Sequence, residues 1–145
     1  MKVELLESTY DPWQQVKSYQ AEKVEQRGKY GATTVFVGTM RDMNEGDEVS
    51  AMQLDHYPEM TKKHLEKLAT NALDKFDILD VLILHRVGKV VPNDPIVCVA
   101  VWSEHRAAAY DANRYIMEDL KSKAPIWKKE TLKNSERWVE KNASG

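Results

Sequence analysis

A single cysteine, Cys98, is all the thiol that this 145-residue sequence carries. That excludes an internal disulfide and any metal site made of cysteines alone. Cys98 sits inside IVCVAVW with apolar neighbours on both sides, so an inert buried thiol is expected there, not a nucleophile. The four histidines, His56, His64, His85 and His105, show neither HxxxH nor HxH spacing, so no metal is expected. No apolar run has the length of a bilayer span. The opening MKVELLESTYDPW carries acidic residues where a signal peptide needs an apolar core. These absences together lead to the expectation of a cytoplasmic protein. G-x-G-x-x-G, P-loop and G-x-S-x-G motifs are also missing. No repeat, low-complexity tract or linker divides residues 1–145, so a single domain is expected, long enough for a core of its own.

The charge that is present is unevenly spread. The net charge is -2. Residues 1–80 sum to -5 and residues 81–145 to +3. The segment 121–141 alone holds seven Lys or Arg against three Glu. A local basic patch on a mildly acidic chain suits a small anionic ligand or an acidic partner segment. Nucleic acid binding usually goes with an overall basic domain.

The local patterns predict a mixed fold. Residues 2–6 alternate as a strand, and Asp11-Pro12 reads as a helix cap with proline in the first turn. That helix is expected to run to about Gln26, with Gly28 and Gly31 at its exit. GATTVFVGTM (31–40) is rich in β-branched residues and reads as a central strand. Residues 49–56 alternate as another. A helix is expected over 59–76, with Met60, Leu65, Leu68, Ala69 and Ala72 on one face. Residues 81–91 read as a buried strand with a turn or bulge at Gly88, and Pro92–Pro95 as a tight turn. IVCVAVW (96–102) is apolar enough for the sheet centre. A helix over 106–121 follows, then short strands at 126–130 and 136–140. The class is α+β: a mostly antiparallel sheet with two or three packed helices.

The stretch from Ser103 to Lys129 concentrates cations. On the 106–121 helix, Ala109, Ala112, Ile116 and Leu120 form the core stripe, and Arg106, Tyr110, Met117 and Lys121 an adjacent one. Such a lysine at the rim of a cleft loses water, and neighbouring cations (Lys123, Lys128, Arg106) lower its pKa further. It could then transfer a proton or act as a nucleophile. On spacing alone, solvated surface cations are the favoured reading. His105-Arg106 follows the buried strand and offers a planar fork for phosphate or carboxylate. His85-Arg86 repeats the dipeptide, but its strand is expected to continue to Lys89, which favours a structural role. Arg41 stands at another strand end, and Phe36 reads as core. Trp127 and Trp138 lie beside cations and could stack on a flat ring or simply pack.

GATTVFVGTMRD, LDHYPEM, ILHRVGKV, SEHRAAAYDANRYIMEDLKSKAPIWKKE and ERWVE occur in this order over residues 30–140. In this arrangement they resemble the large, catalytic subunit of molybdopterin synthase. The resemblance implies an α/β hammerhead-type fold and a central homodimer. It also implies a small ubiquitin-like sulfur-carrier subunit, ending in Gly-Gly, docked at each end of a heterotetramer. The carrier's thiocarboxylate would give its sulfur to cyclic pyranopterin monophosphate, forming the dithiolene of molybdopterin. No cofactor is implied. Matched by position, Lys121 and Lys128 correspond to the family's catalytic lysines. Arg41, His105 and Arg106 correspond to substrate-anion and pocket residues, Phe36 and Met117 to pocket-lining positions, and Arg137 to a basic position near the site. The pocket would be completed across the dimer. Pro92-Asn93-Asp94-Pro95 departs from the Gly and acidic residue usual at that turn; Asn tolerates the left-handed conformation.

The expected function is therefore sulfur transfer, with Lys121 as the central group for proton transfer or transient capture of the carrier tail and Lys128 in support. The sulfur arrives activated, so no cysteine on this chain is needed. Two rival readings remain: a non-catalytic scaffold that docks a ubiquitin-like carrier, and a small RNA-binding domain using Trp127 and Trp138 as platforms.

Overall fold

A computed structural model describes residues 1–22 and 28–140. The strands are β1 (Lys2–Leu6), β2 (Ala32–Thr39), β3 (Met43–Asn44), β4 (Asp47–His56), β5 (Asp80–Arg86), β6 (Gly88–Val90), β7 (Pro95–Ser103), β8 (Ile126–Leu132) and β9 (Glu136–Trp138). The helices are α1 (Pro12–Glu22), α2 (Pro58–Lys75) and α3 (Arg106–Ser122). One sheet has the order β1-β5-β7-β2; the other has β3-β4-β8-β9, with β6 also on β4. Among the described residues only the β1–β5 pairing is parallel. The α+β expectation is met.

Burial explains the strand order. From Ile96 to Ser103 every residue of β7 is buried, because helices cover both sheet faces and leave polar side chains no solvent side. One cluster packs Val81, Ile83, Val99 and Val101 against Leu65, Ala72, Ala109 and Ile116 of α2 and α3. The opposite face packs Leu82, Leu84, Cys98 and Trp102 against Tyr19 of α1. β2 is not central as its composition suggested. It pairs only with β7 and forms the sheet edge. Its β-branched run reflects partial packing of Val35 and Val37 against the α1 side, not two neighbours.

Caps and side-chain bonds lock the helices. Asp11 Oδ1 accepts from the backbone N–H of Trp13 and Gln14, capping α1 with Pro12 in its first turn. Its expected continuation to Gln26 falls outside the described residues. Tyr19 donates to the Asp80 carboxylate at 2.9 Å, and Trp102 Nε1 to Gln20 at 2.9 Å. Within α2, Leu65, Leu68, Ala69 and Ala72 are buried as expected, but Met60 is 59% exposed and Thr61 takes the inward place. Thr61 Oγ1 donates to the Pro125 carbonyl at 2.9 Å, so the polar residue is buried with its partner.

The expected strand 81–91 is two strands in two sheets. β5 ends at Arg86, and Gly88, at φ +82°, turns the chain so that β6 joins β4. A side chain at that φ would be strained. The 92–95 turn forms as read: Asn93 sits at φ +77°, and Asp94 Oδ2 accepts from Val91 N at 3.0 Å. The polar segment after β2, read as a loop, contains the short β3, paired with the start of β4.

Candidate active site

The two lysines singled out in the sequence converge. Lys121 stands in the last turn of α3, and Lys128 in β8. β8 alternates: Ile126 and Glu130 are buried, while Trp127 is more exposed. Lys128 therefore projects inward with Ile126 and Glu130. It pairs across the sheet with Leu54, which is fully buried. Burial lowers its pKa to about 8, with the charge of Lys121 and a side-chain hydrogen bond from Lys121 acting in the same direction; Glu130 opposes them. The perturbed lysine is thus Lys128, whereas the sequence reading gave the central role to Lys121.

Several anchors place the pair. Asn113 Nδ2 donates to the Val99 carbonyl at 3.0 Å, and Thr34 Oγ1 to Ala109 O at 2.9 Å, holding α3 against β7 and β2. His64 Nε2 meets Asp119 Oδ1 at 2.6 Å, tying α2 to the last turn of α3. Thr61 then fixes Pro125, three residues before Lys128. Met117 is buried one turn before Lys121.

His85 joins this cluster. It is 6% exposed, and Lys128, Lys121 and His56 all act electrostatically on its ring. Desolvation first, and those cations after it, push its pKa down to about 4, against the opposing bond to the Arg86 carbonyl. The sequence reading treated His85 as structural because its strand was expected to run on. Alternation could have found it: Val81 and Ile83 face α2 and α3, so His85 faces the same side. Arg86 is also buried, and its guanidinium donates to Lys89 O at 2.7 Å.

The remaining predicted residues lie elsewhere. His105 caps α3 with an extended backbone and no side-chain cap bond, and its side chain is 85% exposed. His105 and Arg106 line a cavity of about 410 Å³ with Gly31, Ala32, Glu104 and Ala107. Arg106 and Lys121 are fifteen residues apart on one helix, a separation of about 22 Å. Strand register agrees: Ala32 pairs with Ser103 beside His105, while Thr39, near Arg41, pairs with Pro95 at the other end. Exposed Arg41 therefore stands at the same end of the sheet as His85. Within one chain, His105 and Arg106 do not meet the lysine pair.

Phe36 is 40% exposed and not a core residue. Val35 and Val37 pack on the α1 face, and alternation turns Phe36 to the α3 face at an open sheet edge. Arg137 gives Nε to Glu130 and Nη1 to Asp47, both at 2.8 Å, and Nη2 to Asn44 O at 2.9 Å. It clamps β9 to β8 and the β3–β4 hairpin. Glu130 foremost raises its pKa further. Trp138 stacks under Lys129 at 5.5 Å and Trp127 meets Tyr57 edge-on at 5.4 Å, both on the β8 face turned away from Lys128. Cys98 is fully buried, and desolvation pushes its thiol up to about 11. A second cavity, of about 340 Å³, is lined by Glu7, Gln53, Leu54, Asp55, His56, Val87 and Gly88. Among the described residues no three or more His, Cys, Asp or Glu group as a metal site. No described helix is long and apolar enough to cross a membrane.

Comparison with known proteins gives the family and the fold. Residues 9–123 match the family described as MoaE protein. The molybdopterin synthase catalytic subunit of Pasteurella multocida is 54% identical over 110 residues, 76% of this chain and 73% of that one. That of Pseudomonas aeruginosa is 42% identical over 144 residues, 99% and 93% of the two chains. Among solved structures, the molybdopterin biosynthesis MoaE protein from Burkholderia ambifaria is 40% identical, with a TM-score of 0.80 over 99% of this chain and 92% of its own. The molybdopterin synthase from Staphylococcus aureus is 29% identical, with a TM-score of 0.83 over 97% and 98%.

Proposed function

This chain belongs to the MoaE protein family, and from that premise we propose that it is the catalytic subunit of a molybdopterin synthase, a sulfurtransferase. The sulfur donor is the C-terminal thiocarboxylate of a small ubiquitin-like carrier subunit. The acceptor is cyclic pyranopterin monophosphate, which gains two sulfurs as a dithiolene.

The observation that carries the reading is the inward-facing lysine pair with the pKa of one member lowered to about 8. Two ammonium groups in contact attract an anion, and a thiocarboxylate is one. At pH 7 about a tenth of Lys128 is neutral, enough to serve as a base. In the mechanism, the carrier's thiocarboxylate sulfur adds to a carbonyl carbon of the acceptor as that C=O π bond opens; the oxygen takes a proton from solvent and later leaves as water. Water then adds to the thioester carbonyl, Lys128 takes the water's proton, and the C–S bond breaks. The carrier leaves as a carboxylate, and the sulfur stays on the acceptor. Lys121 steadies the oxyanion. The buried, raised thiol of Cys98 is consistent with a reaction that needs no thiol from this chain.

Arg41, His105, Arg106, Phe36 and Met117 serve the phosphate and pterin. Because the ends of α3 are about 22 Å apart, the site takes Lys121 and Lys128 from one chain and His105 and Arg106 from a second copy. The assembly is a homodimer with one carrier per site.

Purified chain incubated with thiocarboxylated carrier and precursor should form dithiolene product. Lys121→Ala and Lys128→Ala should each abolish it with an unchanged far-UV spectrum. Near-normal turnover by both variants, with the carrier still bound, would favour a docking scaffold instead.

A further inference from the structure

His85 lies at the end of β5, with its neighbours across the sheet being Leu5 of β1 and Val97 of β7, both apolar. Its charged and titratable company comes from other elements: Lys128 on β8, Lys121 on α3 and His56 on β4. Its Nδ1 lies 2.7 Å from the Arg86 carbonyl oxygen. A carbonyl only accepts, so Nδ1 carries the proton and donates. In the neutral ring the lone pair is then on Nε2, fixed by the bond that the other nitrogen makes. β5 alternation turns His85 to the α2–α3 side, and β8 alternation turns Lys128 inward beside buried Leu54. His56 shares the inward face of β4 with Leu54, so it borders the same space.

A neutral ring whose charged neighbours are two lysines can act as an acceptor for one of them. We propose that His85 is a positioning residue for sulfur transfer: its Nε2 accepts a hydrogen bond from the Lys128 ammonium and holds that side chain against Lys121. The ring does not touch substrate. It orients the lysine that does, and it stays neutral because burial disfavours the charged ring and, after that, because the two lysines oppose a second positive charge. The Arg86 carbonyl acts as its anchor. This role rests on the reading of Lys128 as the reacting lysine, but the contact itself is measurable without any turnover.

Imidazole ¹⁵N spectra of the wild-type protein test the contact directly. From pH 6 to 10, His85 should stay neutral with its proton on Nδ1, and its Nε2 shift should move with a midpoint near pH 8. A proton on Nε2, or an Nε2 shift flat through that range, overturns the proposal. Two variants separate the ring's functions. His85→Asn keeps a donor for the Arg86 carbonyl and loses the distal acceptor; His85→Gln places an acceptor near the Nε2 position. Competitive amine labelling, read by mass spectrometry, gives the titration midpoint of Lys128 in each. The Asn variant should fall by about one pH unit, the scale of one lost hydrogen bond to a charged group, and the Gln variant should restore the wild-type midpoint. With carrier and precursor, kcat of the Asn variant should drop while carrier affinity holds. A purely structural histidine would leave the midpoint where it was. If the Asn variant does not fold, the wild-type spectra decide. Failure of the sulfurtransferase reading shows differently, as absent dithiolene product with the lysine midpoints behaving as described.

Discussion

Lys128 shows how a single position turns surface chemistry into site chemistry. Its formula is that of any lysine; partial burial and the adjacent Lys121 make its charge costly. Nothing in its local sequence announces this, since burial at β8 is decided by which strand lies beside it. The family resemblance matches both lysines to catalytic positions without ranking them, and the sequence reading puts Lys121 first. His85 is legible in principle through the alternation of β5, but the sequence reading takes Gly88 as a turn or bulge in a strand that continues past it, which favours a structural role. Its depressed pKa has a consequence for stability. The unfolded chain protonates this ring near pH 6.5 while the folded one resists to about 4. The unfolded state therefore binds more protons across that window, and stability falls as pH drops through it, by up to about 3 kcal/mol. Denaturant melts at pH 7 and pH 4.5 should show this loss, and His85→Gln should remove much of it. Lys128 behaves likewise at higher pH: its penalty is present below about 8 and relieved as pH rises toward the unfolded value of 10.5.

At the scale of elements, the helices and most strands follow from periodicity, caps and turn residues. α1 begins at its Asp-Pro signal, α3 spans nearly the expected residues, and the 92–95 turn adopts the left-handed Asn93 that its composition allows. What failed was partnership. The apolar run of β2 was read as central, although a strand with one covered face and an open edge can be as rich in β-branched residues. Met60 matched the helical period and still points outward, because Thr61 has the Pro125 carbonyl to satisfy. Two elements can be tested by substitution. Gly31 approaches the chain so closely that a Cβ there would lie 2.5 Å from the Glu104 carbonyl oxygen. Gly31→Ala should cost about 1–3 kcal/mol in a denaturant melt and disturb the His105–Arg106 end of α3. Asp11→Ala removes the acceptor that caps α1, at about 1 kcal/mol, and should leave sulfur transfer unchanged.

The whole molecule joins two sheets so that the end of α3, the end of β5 and the middle of β8 share one space. The other end of α3 is left exposed, with His105 and Arg106 at a cavity of their own. No composition or periodicity argument places these ends relative to a second copy; only the family resemblance suggested it, and the length of α3 gives it a physical reason. Subunit mixing tests this arrangement. Neither a His105→Ala, Arg106→Ala double variant nor Lys128→Ala should turn over alone. An equal mixture, exchanged between protomers, should recover roughly a quarter of wild-type activity, since half of the dimers then hold one complete site. No recovery after verified exchange would mean that both groups act within one chain and would overturn completion across the dimer. The proposed place of sulfur release from the carrier is the Lys121–Lys128 pair. The most direct test of this proposal is the rate of the first sulfur transfer in a single turnover, with thiocarboxylated carrier and precursor, measured from pH 6 to 10. The wild-type rate should rise with pH and level off through an inflection near pH 8, and Lys128→Ala should lose both the rate and the inflection. A Lys128→Ala chain that transfers sulfur at the wild-type rate with the same inflection would contradict it.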